Sequence, residues 1–316
     1  MNAPAPSPES HRRSAASPLG VLTLPDRPVA TGRGCVGELP LQWLAGTPGD
    51  VAEGFLLDQD VETTTGVGHC LSTSRGFSFG VIELDERTGL AAGTEQAYRQ
   101  LFDLLEQSGT PHLWRVWQYL PAINAADRNT GPERYRLFNQ GRAAAFVAAG
   151  CDIAASAPAA CALGCEATGR GRLAFLAADT PPVPIENPRQ VSAYHYPPEY
   201  GPRSPIFARA AVARGQNHDW LFISGTASIT GHTTRHVGDI RAQTDETLAN
   251  LEAVRLEANA RRGDGLQPFA FGPQALLRVY IRHPRHLDAV RERMTAWLAE
   301  PVKAVFLQAD ICRSEL

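Results

Sequence analysis

The side chains best placed for chemistry are arginines set among apolar or small residues. Arg142 lies in the run GRAAAF, which reads as helix. A guanidinium there either points into a cleft or marks the polar edge of an amphipathic helix. Arg209, in Phe207-Ala208-Arg209, and Arg282, after the strand-like Arg278-Val279-Tyr280-Ile281, pose the same choice. Guanidinium forks in such settings hold carboxylates through parallel charge-assisted hydrogen bonds. Arg203 sits in a turn, where arginines are usually solvated. Tyr194 and Tyr200 can hydrogen-bond a carboxylate or a hydroxyl, or can anchor a Pro-rich loop as half-buried aromatics. Thr226 and Ala227 follow Gly225 at a strand end, where small side chains let a ligand approach backbone N–H groups. Glu315, taken alone, is an exposed carboxylate.

Neither a metal nor a cofactor is called for. A zinc site needs four ligands, or three and a water, at tetrahedral distances. Cys161 and Cys165 have no second Cys/His pair nearby, and with Cys35, Cys70, Cys151 and Cys312 they read as buried, inert thiols. His232 and His236 flank a turn, and His283 and His286 flank Pro284, without any HExxH-like spacing. No GxGxxG, Walker or GxSxG motif stands between a strand and a helix.

These groups must be positioned by a chain of 316 residues, long enough for two domains. Hydrophobic residues make up 43% and charged residues 20%, as in soluble globular proteins. Thirty Lys plus Arg against 33 Asp plus Glu give a net charge of -3, which argues against a nucleic-acid partner. No apolar run reaches the roughly 18 residues of a membrane span. Residues 1–20, rich in Pro, Ser and Ala, lack the apolar segment of a secretory signal and read as a disordered lead-in. A cytoplasmic protein is expected.

An internal repeat organises the rest. In the first half a strand ending GVIELD precedes a helix placed near Thr94, with Tyr98, Leu101, Phe102 and Leu105 on one face. The strand Trp114-Arg115-Val116-Trp117, a helix over 134–149 and the strand Leu173–Ala177 follow. In the second half LFISG precedes a helix placed near Thr244, with Leu248, Leu251 and Val254 on its face. Leu277-Arg278-Val279-Tyr280, a helix over 286–298 and the stretch 302–311 complete the copy. The threonines, each followed by a glutamate, read as N-caps with acidic first turns. The alternation in the strands implies cover on one face. The Pro-rich segment 180–188 stops either kind of element and sets the boundary between an N-terminal unit, 21–185, and a C-terminal unit, 186–316. The fold class is α+β.

The second half resembles the YjgF/RidA-like family in Phe222-Ile223-Ser224-Gly225, Val237-Gly238-Asp239-Ile240 and Gln243-Thr244 with Glu246, Leu248 and Asn250. Two fused copies with the signature only in the second resemble the chorismatases. The residues that carry this are Tyr194-His195-Tyr196-Pro197, Tyr200-Gly201-Pro202-Arg203-Ser204-Pro205, Phe207-Ala208-Arg209, the run Ser224–Ile229, Gly231-His232 and Cys312-Arg313-Ser314-Glu315-Leu316. Glu133-Arg134-Tyr135 and Gly141-Arg142-Ala143 add to it in the first half.

The resemblance implies two tandem YjgF/RidA-like domains, each a mixed sheet with helices packed on one face. It also implies an enzyme that needs no cofactor and removes the enolpyruvyl group of chorismate as pyruvate, giving 3-hydroxybenzoate, sometimes with 4-hydroxybenzoate. Alternative readings are a chorismate hydrolase giving a dihydroxycyclohexadiene carboxylate, and a RidA-type imine deaminase or small-ligand sensor. Glu315 falls on the family's catalytic glutamate, a carboxylic acid that protonates the terminal methylene from a poorly solvated cleft. Arg142, Arg209 and Arg282 become candidates for the two substrate carboxylates, with Tyr194 and Tyr200 as hydrogen-bonding partners. Thr226 and Ala227 line the ring on one wall and Gln308 on the other, where a polar amide points to the hydroxybenzoate-forming subgroup. Chorismatases ordinarily continue past this motif through apolar and acidic residues that complete a strand. A glutamate at a frayed end is solvated, which weakens it as a general acid. Expected assembly is a monomer or a pseudo-symmetric homo-oligomer.

Overall fold

A computed structural model describes residues 17–24, 34–46, 53–57, 60–165, 169–215, 219–262 and 266–316. Its central strand is His112–Pro121, buried along nearly its whole length. The sequence alternation implies one covered face, but here two cores meet on the strand. Leu113, Val116 and Leu120 enter one core; Trp114, Trp117 and Tyr119 enter the other. A register shift opposite Leu176/Ala177 leaves Trp114 as an extra residue, so Leu113 and Val116 share a face.

That strand sits in a seven-stranded mixed sheet. The order is Asp310–Ile311, Ala159–Cys165, His112–Pro121, Arg172–Ala178, Phe77–Glu83, His69–Ser74 and Glu62–Gly66. Helices α1 (Leu90–Ser108) and α2 (Arg134–Ala148) cover one face, followed by the single turn α3 (Ile153–Ser156). Tyr98, Leu101 and Leu105 are buried at the spacing the sequence gives them. Burying each large apolar side chain contributes about 1.5–3 kcal/mol. Gly141 is required where the helices cross, because a Cβ there would lie 2.1 Å from the Ala91 carbonyl oxygen.

The opposite face is covered by Ser17–Thr23 and by Lys303–Gln308, through Leu19, Leu22, Val305 and Leu307. Ser17–Gly20 therefore belong to a strand, not to the expected lead-in, because their neighbours pack on the sheet. Residues 1–16 of that lead-in lie outside the described residues. Cys35 and Cys70 form a disulfide, with Cα atoms 5.9 Å apart, which corrects the reading of all six cysteines as thiols. Cys165 is a buried thiol, its pKa pushed up to about 12 by desolvation.

Val183–Ile185, at the seam between the halves, forms one antiparallel sheet with Ala210–Arg214 and Asp219–Ile223 of the second half. Pro184 does not stop the chain from pairing, because Val183–Ile185 is an edge strand and needs few donors. Leu276–Ile281, Lys303–Gln308 and Gln42–Gly46 form another sheet. Helices α4 (Ile240–Ala260) and α5 (Leu287–Trp297) pack beside it. Two strands are thus exchanged between the halves: Gln42–Gly46 pairs with Lys303–Gln308, and Asp310–Ile311 pairs with Ala159–Cys165.

Both helix openings differ from the sequence reading. The α1 helix begins after Gly89, and Asp239 caps α4 by accepting from the N–H groups of Arg241 and Ala242. Thr94 and Thr244 lie inside their helices, where the Thr244 hydroxyl donates to the Ile240 carbonyl. Neither first turn is acidic. Segregated helices on mixed sheets make the fold α+β. No helix among the described residues is long and apolar enough to cross a membrane.

Candidate active site

A cleft of about 2120 Å3 is bordered by α2, the segment 196–209, the turn after Asp219–Ile223 and the last residues of the chain. Arg134 fixes the start of α2 through Glu86, at 2.7 and 2.8 Å, and through the Pro121 carbonyl at 2.8 Å. Eight residues on, Arg142 points inward and is only 1% exposed. Of the two readings open in the sequence, the cleft-lining one holds.

The Arg142 guanidinium donates to Gln118 Oε1 at 3.0 Å and to Asn139 Oδ1 at 2.6 Å, and its Cζ lies 5.2 Å from the Phe138 ring centroid. Those hydrogen-bond partners are neutral, and its buried Nε has none. A guanidinium desolvated to this degree is stabilised by an anion, so the site favours a carboxylate.

Gln118 is fully buried and was not singled out from the sequence. Its Oε1 also accepts from the Tyr98 hydroxyl at 3.0 Å, while its Nε2 donates to the Cys161 carbonyl at 2.9 Å. The amide is thus held in one orientation, with its acceptor toward Arg142. A lone amide inside WRVWQYL was the available signal.

Arg209 is also buried. It donates to the Val191 carbonyl at 2.7 Å and to the Tyr196 hydroxyl at 2.8 Å, and its Nε is without a partner. Arg313, quoted from the sequence only as part of a motif, stacks 4.1 Å from the Tyr200 ring centroid and donates to the His232 carbonyl. The Tyr200 hydroxyl donates to the same carbonyl at 2.8 Å. Desolvation pushes the Cys312 thiol up, opposed by the charges of Arg313 and Arg209. Burial likewise raises the Tyr135 phenol well above its usual range, with Arg142 opposing. One end of the cleft is therefore strongly cationic.

Thr226 and Ala227 border the same cleft. Gly225 donates its N–H to the Ala160 carbonyl, and Asn250 Nδ2 donates to the carbonyls of Ala227 and Ile229 at 3.0 and 2.8 Å. The turn is pinned from both sides.

Other expected residues sit differently. Arg282 borders the cleft, but its donors go to Asp310 Oδ1 at 2.6 Å, Asn124 Oδ1 at 3.1 Å and the carbonyls of Arg313 and Leu316 at 2.9 and 3.0 Å. It clasps the chain's last residues. Tyr194 is not among the cleft-lining residues; it packs on the core under α1 and α2, its ring 4.7 Å from that of His195. Gln308 does not line the cleft either, because its amide turns to the Arg282 carbonyl at 3.3 Å. Glu315 borders the cleft and is exposed, whereas the resemblance implies a poorly solvated carboxyl. Its Oε1 accepts from the Thr234 hydroxyl at 3.1 Å, and Gln243 Nε2 donates to its backbone carbonyl at 2.8 Å.

Comparison with known proteins gives a consistent result. The family model described as chorismatase FkbO/Hyg5-like, N-terminal, matches residues 53–177. A chorismatase of Streptomyces rapamycinicus is 34% identical over 267 residues, covering 84% of this chain and 79% of the relative. A 3-hydroxybenzoate synthase of Streptomyces hygroscopicus is 34% identical over 285 residues, covering 88% and 83%. A crystal structure of a chorismatase superposes with a TM-score of 0.81 at 32% identity, covering 98% of this chain and 92% of that one.

Proposed function

The chain belongs to the chorismatase family, and from that premise we propose that it cleaves chorismate to pyruvate and 3-hydroxybenzoate. The observation that carries this reading is Arg142, a buried guanidinium that borders the cleft and has only neutral hydrogen-bond partners. Chorismate brings two carboxylates, a hydroxyl and an enol ether. Arg142, oriented by Gln118 and Asn139, takes one carboxylate; Arg209, with its unpartnered Nε, takes the other. Tyr200 holds Arg313 against this end of the site, and Thr226 and Ala227 shape the ring wall.

Glu315 delivers a proton to the terminal methylene carbon of the enol ether. The carbon bearing the ether oxygen becomes an oxocarbenium centre, and the C–O bond to the ring breaks as pyruvate leaves with the ether oxygen. The neighbouring ring hydroxyl closes onto the vacated ring carbon and returns its proton to Glu315. The three-membered ring then reopens at the carbon that first held the hydroxyl, and the oxygen is reprotonated. The carbon that now bears it loses its hydrogen as a proton to give 3-hydroxybenzoate. Pyruvate and 3-hydroxybenzoate together hold every atom of chorismate. The overall reaction therefore calls for no external oxidant or reductant, and none of the proposed steps needs a cofactor. Arg282 acts as a positioning residue through the segment that carries Glu315.

We also read the halves as tandem YjgF/RidA-like units meeting at residues 185/186. The shared order of strands and helices in the two halves supports this. A lactate-dehydrogenase-coupled assay with chorismate tests the activity, followed by chromatography of the aromatic product. Pyruvate and 3-hydroxybenzoate are expected in equal amounts. Imine hydrolysis without pyruvate release, or binding without turnover, would overturn the reading.

A further inference from the structure

Three arginines of α2 are supplied with partners in two different ways. Arg134 meets the Glu86 carboxylate at 2.7 Å, and Arg136 meets that of Glu133 at 3.5 Å. Arg142, the most deeply buried of the three, is hydrogen-bonded by side-chain amides instead, Gln118 at 3.0 Å and Asn139 at 2.6 Å. Its buried Nε has no partner.

On stability alone this is the wrong choice. Glutamate at 118 or aspartate at 139 would match the amide in shape and give a desolvated guanidinium its counter-ion, and buried charges are ordinarily paired. Asn139 stands three residues before Arg142 on α2, a spacing at which helical side chains meet and an acid is the usual partner of an arginine.

The amide at 118 is also held against turning round. Its Oε1 accepts from the Tyr98 hydroxyl of α1 as well as from Arg142, and its Nε2 donates to the Cys161 carbonyl. Reversed, it would set its NH2 against the Tyr98 and Arg142 donors and its oxygen against a carbonyl. Tyr98 does not line the cleft, so α1 reaches the site only through this bond.

We propose that the neutrality of Gln118 and Asn139 sets the charge specificity of the cleft. The two amides aim the Arg142 guanidinium and leave its charge uncompensated, so an anionic group of the substrate completes the pair. A neutral ligand of the same shape gains nothing from such a site. Both act through Arg142 and are positioning residues. The inference rests on the reading of Arg142 as a carboxylate site and adds what makes that site selective.

The test places a carboxylate at each amide in turn, Gln118→Glu and Asn139→Asp, in a Glu315→Gln chain so that chorismate is not consumed. The two positions lie on different elements, so a packing fault at one leaves the other to decide. Two carboxylates at one guanidinium repel, so chorismate binding to either variant takes up a proton and weakens as pH rises. Tyr98 on α1, Tyr135 on α2, Cys161 beside Gln118 and Cys312 beside Tyr135 are the other titratable groups around this guanidinium. Burial raises both phenols, with Arg142 opposing, and comparison with the Glu315→Gln chain at each pH cancels what remains.

Binding titrations are expected to show affinity lower by about tenfold or more near pH 8 and by less near pH 5. A loss of the same size at both pH values, or none, in a variant that melts as a folded protein overturns the proposal, as does failure of both variants to fold. Pyruvate release is not the readout. A parent that binds chorismate without turnover loses the functional reading alone; a parent that does not bind it loses both.

Discussion

The two halves of the molecule run through the same order of elements, yet their strands are joined differently. Among the described residues Arg172–Ala178 joins its two neighbours into one sheet in the first half, while Asp219–Ile223 and Leu276–Ile281 lie at the edges of separate sheets in the second. In the first half Arg172–Ala178 fills the centre, and Phe175 is fully buried under α1 and α2. In the second half the corresponding strands, Asp219–Ile223 and Leu276–Ile281, stay half-buried at the cleft. The closed half offers a rigid wall, and on it stand Gln118 and Arg142, each fixed by buried hydrogen bonds. The open half carries Glu315 on an exposed segment clasped by Arg282. The comparison teaches a division of labour: the closed half holds one substrate carboxylate on a rigid wall, while the open half adds Arg209 for the other and carries the residue expected to govern turnover.

The largest effect should come from the open half. Glu315→Gln keeps the shape and removes the transferable proton. Turnover should fall by about 10²–10⁴ with substrate affinity nearly intact. Steady-state kinetics and a binding titration on the same variant decide it; turnover within a few-fold of the parent would assign the proton to another group. Sheet closure itself is probed by a pair of truncations. Phe175→Ala should cost about 3–5 kcal/mol of stability, and Leu221→Ala only about 1–2, since its site is already half open. Equal losses in denaturant melts would erase the contrast between the halves.

Arg142→Ala sharpens the other side of the comparison. Chorismate affinity should weaken by about 2–5 kcal/mol with little loss of folding stability, because the side chain is desolvated without an anion. A much earlier melt with normal binding by the surviving fold would make Arg142 structural instead.

The smallest effect lies between the halves, at Glu186, whose carboxyl is pushed up by burial, with Ser192 and Arg209 opposing. The folded state holds this proton more tightly than the unfolded one. Its contribution is therefore most favourable below the ordinary carboxylate range and is lost as pH rises through the raised value. Glu186→Gln should flatten that part of the melting-temperature profile and raise stability at neutral pH. An unchanged profile assigns the slope to other groups.

Local periodicity made the helices legible. Tyr98, Leu101 and Leu105 on α1, and Leu248 and Val254 on α4, face inward as their spacing requires. The caps were less legible, since Asp239 does the work that a threonine-glutamate pattern further on imitates. Pairings such as Gln42–Gly46 with Lys303–Gln308 leave no local trace, because strand alternation says which face is covered but not by what. At the site, motif residues Arg142, Arg209, Thr226, Ala227 and Glu315 all reach the cleft. Arg282 and Gln308 do not act as sequence reading expected, because a side chain's choice between ligand and its own backbone is settled only by the fold.

The exchanged strands have a consequence for synthesis on the ribosome. Gln42–Gly46 is made early, but its partner Lys303–Gln308 follows roughly 250 residues later, a wait of roughly 12–50 s at ordinary elongation rates. Through that interval the emerging first half holds an unmatched strand, and its own outermost strand, next to Ala159–Cys165, arrives only with Asp310–Ile311. Neither half reaches its final pairing until Lys303–Gln308 and Asp310–Ile311 have been made, so that short segment sets the moment at which the two halves lock together.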